Sequence, residues 1–93
     1  MTARPLRLVL PNPLTRADLP ALYRRTCIEL SRGVPGLIEL EVAHIQADAV
    51  AMDAIGRLAL AARRHGCSIR LHGADEALWE LLELAGLRDV VVQ

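Results

Sequence analysis

The sequence predicts a single α/β domain over residues 1–93, with helices packed against a four-stranded, mixed but mostly parallel sheet in the order βαβαβαβ. The chain has 93 residues, enough for one hydrophobic core and too few for two. Hydrophobic residues make up 53% of it but aromatic residues only 2%, so aliphatic side chains must fill the core. Short apolar runs alternate with helical patterns, and crossover helices favour parallel strand pairs. Periodicity leaves open whether the first strand is antiparallel.

The first strand is predicted from Leu6 to Leu10, since this apolar run stops at two prolines. Thr15 and Asp18 then resemble a capping box with Asp in place of Glu. Pro20 is tolerated only near a helix start, so the first helix is expected to begin near Asp18. Its end is expected at Gly33, Pro35 and Gly36. The apolar face of this helix consists of Leu19, Leu22, Tyr23, Thr26, Cys27 and Leu30.

Alternating apolar residues predict a second strand from Leu37 to Val42, with Ile38, Leu40 and Val42 on its apolar face and Glu39 and Glu41 on the other. Asp48 is suited to cap a second helix from about residue 49 to 65, through the amides of Val50 and Ala51. Gly66 closes this helix, and a third strand is predicted from Cys67 to Leu71. The expected apolar stripe of the second helix is Met52, Ile55, Leu58, Ala59 and Ala62.

A third helix is predicted to run from a cap at Asp75 to Ala85. Gly86 followed by Leu87 is typical of a helix-ending motif in which the apolar residue folds back on the last turn. A short final strand is predicted from Val90 to Val92. The apolar positions of the third helix are Leu78, Leu81, Leu82 and Ala85.

Charge and hydropathy exclude several classes of function. Eleven basic residues balance eleven acidic ones, whereas a nucleic-acid binder normally carries a basic excess. No apolar run approaches the ~20 residues that span a bilayer, and the N-terminus lacks the apolar stretch of a signal peptide. We therefore expect a cytoplasmic protein without nucleic-acid partners or membrane insertion. In that compartment Cys27 and Cys67 should be free thiols, with Cys27 a small core residue.

Residues 37–90 contain a series of motifs in a characteristic order. A hydrophobic strand leads through residues 43–47 to a helix that starts at Asp48, this helix ends with residues 63–66, a strand and Gly73 follow, and residues 81–87 read LLELAGL. The series resembles the STAS domain, named for sulphate transporters and anti-sigma factor antagonists. That family has a D-S-S-G-L motif at the helix start, then an R-x-x-G-x-x-L-x-L-x-G pattern and an L-L-E-L-T-G-L motif. The resemblance implies a STAS-like fold over nearly the whole chain.

The chain departs from the family at the switch residue. Where the family reads D-S-S-G-L, this chain has Asp48, Ala49, Val50, Ala51 and Met52. The serine that is phosphorylated in anti-sigma factor antagonists aligns with Ala49, which has no hydroxyl. Phosphate at a helix N-terminus would add about −1.5 to −2 charges and control partner binding. This chain lacks that switch.

The resemblance implies a protein-interaction module whose partner contacts Asp48, Ala49, Val50, Ala51 and Met52. The expected partner is an anti-sigma kinase-like regulator bound constitutively. The alternative is a fixed regulatory subunit of a lipid-transport ABC system. Self-association stays open, and no cofactor is expected. Asp48 has a structural role as a helix cap that needs no partner.

Other conspicuous residues have structural interpretations. His44, His65 and His72 are scattered, and no metal-ligand spacing such as HxxxH or CxxC occurs. No nucleophile elbow or Gly-rich phosphate loop is present, and strand and helix geometry should separate His65 from Cys67, so an enzyme is the less favoured class. Trp79 is expected to be half-buried rather than an interface anchor. The pairs Arg24–Arg25 and Arg63–Arg64 are expected on solvated helix faces.

Overall fold

A computed structural model describes residues 6–33 and 36–92 and has an α/β fold with a three-stranded parallel sheet and three helices. The strands are β1 (Leu6–Val9), β2 (Leu37–Glu41) and β3 (Ser68–His72). The helices are α1 (Leu19–Arg32), α2 (Ala49–Arg64) and α3 (Glu76–Leu84), and short 3-10 turns lie at Arg16–Asp18 and Arg88–Val90. Pro35, expected to help end α1, lies outside the described residues.

The strands pair in parallel with β2 in the centre, and Leu8, Leu40 and Leu71 share one row. The prediction of a mixed sheet was wrong, because β1 is parallel to β2 and no antiparallel pair occurs among the described residues. The connection through α1 is a crossover helix, which suits a parallel pair of strands. At the other edge, only Val91–Val92 (β4) pairs with β3. This strand is shorter than the predicted one from Val90 to Val92, because Val90 belongs to the preceding 3-10 turn.

Alternation along the strands gives the sheet one buried and one charged face. Leu8, Ile38, Leu40, Ile69 and Leu71 are buried in the core with the inner sides of the helices. Between them, the opposite face carries Arg7, Glu39 and Arg70 in one row and Val9, Glu41 and His72 in the next. This period of two is the ordinary pattern of a sheet with one face packed against helices.

The start of α1 follows its predicted capping chemistry. The Thr15 backbone N–H and hydroxyl both donate to the Asp18 carboxylate, at 2.8 and 2.9 Å. These bonds hold the 3-10 turn that leads into α1, which begins at Leu19 with Pro20 in its first turn. The predicted start of the helix near Asp18 is therefore confirmed.

Helices α2 and α3 end in the same way. The Gly86 and Leu87 amides donate to the carbonyls of Glu83 and Leu82, at 3.1 and 2.8 Å, and Leu87 packs against the core. At α2, Gly66 and Cys67 donate to Arg63 and Ala62 at 3.1 and 2.8 Å. Gly66 and Gly86 have φ of 71° and 73°, the left-handed conformation that this motif requires. The predicted ending at Gly86 and Leu87 is confirmed.

The core is aliphatic and centres on α2, which packs against both α1 and β3. Its buried surface is wider than the predicted stripe, because Ala51, Ala54 and Ala61 are buried as well. Met52 is only half-buried, as are Trp79 and Cys27, all three packed against the core. Within residues 6–33 and 36–92, no helix is long and apolar enough to cross a membrane.

Candidate functional site

The connection from β2 to α2 brings the predicted partner-binding residues to the carboxyl edge of the sheet. Its first residue, Val42, donates its amide to the His72 carbonyl at 2.9 Å, which ties the connection to the end of β3. Ile45 is buried, and its amide donates to the Val42 carbonyl at 3.1 Å. The connection therefore has a fixed path to Asp48, since both ends of the turn are hydrogen-bonded or packed.

Asp48 is the N-cap of α2. The Ala51 amide donates to Asp48 Oδ1 at 2.9 Å, and the Met52 amide donates to the Asp48 carbonyl at 3.1 Å. The cap is confirmed at Ala51, while the expected second bond from the Val50 amide is not among the hydrogen bonds of this turn. The carboxylate thus satisfies one amide of the first turn that the helix itself leaves without a partner.

The five residues predicted to contact a partner do not form one surface. Ala49 is exposed, and Asp48 and Val50 are partly exposed. Ala51 is 0% exposed, so it cannot contact a partner, and Met52 packs against the core. The prediction was wrong for Ala51 because successive residues of a helix face different directions. Ala49, the first residue of α2, faces outward, whereas Ala51, the third, faces the core. The surface available at this turn is therefore Asp48, Ala49 and Val50 with the exposed part of Met52, called here the α2 turn.

A concave surface adjoins the α2 turn and was not predicted. The segment after β1 lies beside the β2–α2 connection, and a small pocket of about 50 Å³ between them is lined by Asn12, Leu14, Gln46 and Asp48, among others. A larger cleft of about 390 Å³ continues from it, with Val9 and Pro11 on one side and His44 and Ile45 on the other. The two clefts share Asn12 and Ile45. Asp48 of the α2 turn thus lies at one end of a mostly apolar groove.

Further along α2, Asp53 lies between two guanidinium groups. Arg57 Nε donates to Asp53 Oδ1 at 2.9 Å, and Arg16 Nη1 donates to Oδ2 at 3.3 Å. The hydrogen bond from Arg57, with the positive charges of both arginines, holds the pKa of Asp53 below its ordinary value of 3.8, against a smaller effect of desolvation. The same hydrogen bond and the charge of Asp53 raise the pKa of Arg57. Asp53 is therefore a stronger acid than an ordinary aspartate, because its pKa is lowered.

A second charged cluster lies on the open face of the sheet. Glu39 Oε2 is 3.5 Å from Arg7 Nη2 and 3.5 Å from His72 Nε2. Arg70 Nε and His72 Nε2 are both buried as atoms and make no hydrogen bond. The cluster mixes both signs of charge, so it gives no single-sign surface for a highly charged partner.

The remaining histidines and cysteines do not converge. Among residues 6–33 and 36–92, no three or more His, Cys, Asp or Glu side chains are grouped to hold a metal ion. His44 and His65 are exposed, on the β2–α2 connection and at the end of α2. The Cys67 thiol is buried and lies 3.7 Å from the His65 carbonyl, so its neighbour is the backbone rather than the imidazole.

Comparison of the chain with protein families, with curated proteins and with solved structures finds no match.

Proposed function

We propose that this chain is a cytoplasmic, STAS-like protein-interaction domain that binds its partner without phosphorylation control. The observation that carries the proposal is the position of Ala49. It is the exposed first residue of α2, directly after the capping Asp48, at the place where the resemblance expects a phosphorylatable serine. The proposal includes a STAS-like topology in which β4 completes a four-stranded sheet.

The absence of a hydroxyl at this site has a physical consequence for binding. No Ser or Thr occurs between Arg32 and Cys67 in the sequence, so no kinase acting on hydroxyls can place a charge at the α2 turn. Apolar contacts contribute about 25 cal/mol per Å² of buried area, and no change of charge here would interrupt them. Such a surface favours constitutive binding.

The groove beside the α2 turn supports the same conclusion. It is continuous with Asp48 and is lined mainly by apolar atoms, including those of Val9, which is exposed although hydrophobic. A contiguous, mainly apolar surface in a concave site favours association with another protein. The partner class expected from the resemblance is an anti-sigma kinase-like regulator.

The test replaces the exposed alanine with a charge. Ala49→Asp places a carboxylate where relatives carry phosphate, and a carboxylate at a helix N-terminus is compatible with folding. A photo-reactive amino acid at position 49 first identifies the partner by cross-linking in cells, and calorimetry then compares the variants. Affinity should fall ten-fold or more, about 1.4 kcal/mol, because the charge must be desolvated in the interface.

Ala77 provides a matched control. It is also an exposed alanine in the first turn of an Asp-capped helix, since Asp75 caps α3 as Asp48 caps α2. Ala77→Asp should leave affinity unchanged, and a photo-reactive residue at position 77 should give no cross-link. Equal effects at both positions, or a folded Ala49→Asp protein with full affinity, would place the interface elsewhere. Cross-linking to a transporter subunit would support the role as an interaction module, but it would identify a transporter rather than a regulator as the partner.

A further inference from the structure

A cleft of about 340 Å³ lies between the start of α1 and the middle of α2. It is separate from the groove at the α2 turn and shares none of its lining residues. Its walls combine apolar side chains with the charged trio already described, and it is large enough for one or two side chains of a ligand. The lining residues are Arg16, Leu19, Pro20, Tyr23, Asp53 and Arg57.

The charges of this cleft do not cancel. The side chains of Arg16 and Arg57 carry two positive charges and Asp53 carries one negative charge, which leaves one net positive charge. The Asp53 carboxylate is ionised near neutral pH like any exposed aspartate, and the hydrogen bond from Arg57 lowers its pKa further. A ligand group with one negative charge would therefore neutralise the cleft, whereas a doubly charged phosphate would leave it with a net negative charge.

The hydrogen bonds to Asp53 orient both guanidiniums and leave donors free. Arg57 uses only Nε, and Arg16 uses only Nη1, among the hydrogen bonds of the described residues. The two terminal nitrogens of Arg57 form the planar fork that matches the two oxygens of a carboxylate. Holding Arg57 through Nε reduces the side-chain entropy that this fork would lose on binding.

The apolar walls fit the rest of an acidic side chain. Tyr23, Pro20 and the buried Leu19 lie beside the charged trio, so the methylene groups of a glutamate would meet apolar atoms while its carboxylate meets Arg57. The side chains of Arg16 and Arg57 are mostly exposed, so an ion pair between them and a ligand carboxylate stays in contact with solvent. Such an ion pair should weaken as the salt concentration rises.

We propose that the cleft between α1 and α2 binds the carboxylate of an acidic side chain presented by a protein, through the Arg57 fork and Arg16. The inference does not depend on the proposed function, because it concerns a different surface. It predicts a preference for one carboxylate over its neutral amide and over phosphate.

The test is an NMR titration of the full chain at low ionic strength with a blocked five-residue peptide, a single glutamate among alanines. A peptide with glutamine in its place is the first control, and inorganic phosphate is the second. The glutamate peptide should shift the Arg57 and Tyr23 resonances and bind about two- to five-fold more tightly than the glutamine peptide, the range of an exposed ion pair. Equal shifts from both peptides, stronger binding of phosphate, or no shift in the cleft would each overturn the proposal.

Protein variants locate the site. Arg57→Gln should abolish the shifts and Arg16→Gln should weaken binding, because each removes a positive charge and its donors. Arg24→Gln removes a charge of the same kind from an exposed position on α1 outside the cleft, and it should have no effect. Circular dichroism of each variant checks the fold. If Arg24→Gln lowered affinity as much as Arg57→Gln, the binding would be a general charge effect and the site would be refuted.

Discussion

Gly73 lies directly against Ala43. A Cβ atom on Gly73 would stand 2.7 Å from the Ala43 Cβ and 2.8 Å from its Cα. Gly73 follows β3 with a φ of 80°, and Ala43 belongs to the connection that leads from β2 to the α2 turn. The exits of the two strands therefore touch through their backbones at the edge of the sheet. Only a residue without a side chain allows this approach, which helps to set the path of the β2–α2 connection.

Replacing Gly73 with Ala should destabilise the protein more than the same change at another left-handed glycine. The φ of Gly73 alone should cost about 1–2 kcal/mol, and the clash with the Ala43 backbone adds to it because a backbone atom cannot rotate away. Gly66→Ala is the control, since Gly66 has a φ of 71° but nothing within 4 Å of its Cβ position. Urea unfolding measures both, and equal losses would show that the contact with Ala43 relaxes freely.

Removing the cap of α2 should cost about 1 kcal/mol of unfolding free energy in Asp48→Ala. The cause is the Ala51 amide, which loses the acceptor it has at 2.9 Å. Asp48→Asn keeps an oxygen acceptor in the same place and should retain most of the stability. Thermal and urea unfolding of the two variants provide the measurement. A loss of the same size in Asp48→Asn would assign the effect to charge rather than to the hydrogen bond.

Truncating Leu82 tests the packing of α3. Leu82 is 0% exposed, so Leu82→Ala should lower stability by about 2–5 kcal/mol through lost burial and the cavity left behind. Leu84 is two residues further along the same helix and 83% exposed. Leu84→Ala should change stability by less than about 0.5 kcal/mol. Denaturant titration checks both, and a neutral Leu82→Ala result would contradict the position of α3 against the sheet.

The sequence predicted best those features that depend on local hydrogen bonding. The Asp48 and Asp75 caps and the glycine-ended helices follow from residues a few positions apart, so their spacing alone specifies them. The alternation in β2 likewise predicted Ile38 and Leu40 as buried. In each case the pattern that makes the prediction lies within one short stretch of the sequence.

Features that need two distant elements could not be predicted in the same way. Arg16 and Asp53 are 37 positions apart and meet only because α1 packs against α2. Ala61 is likewise buried although it lies outside the stripe that the sequence pattern of α2 predicted. The predicted site included Ala51 because it was taken from a continuous sequence motif. On a helix, neighbouring residues of such a motif face different directions, so one can be exposed and the next but one buried.

The ionisation of Asp53 provides a prediction about pH. Its pKa is below 3.8, first because of the hydrogen bond from Arg57 and then because of the charges of Arg57 and Arg16. A carboxyl whose pKa is lower in the folded state contributes stability that is fully present above its unfolded pKa and lost as pH falls through its folded pKa. The window is therefore below about pH 4, near the ordinary aspartate pKa.

NMR of the carboxyl carbon of Asp53 should give a titration midpoint below 3.8 in the native protein. Arg57→Gln should raise this midpoint more than Arg16→Gln, because Arg57 supplies the shorter hydrogen bond, 2.9 against 3.3 Å, as well as a charge. Arg24→Gln should leave the midpoint unchanged, since Arg24 is no partner of Asp53. If Arg16→Gln had the larger effect, Arg16 rather than Arg57 would be the main partner of Asp53. The bond from Arg57 Nε to Asp53 would then be too weak to fix the orientation of the Arg57 fork, on which binding of an acidic side chain depends.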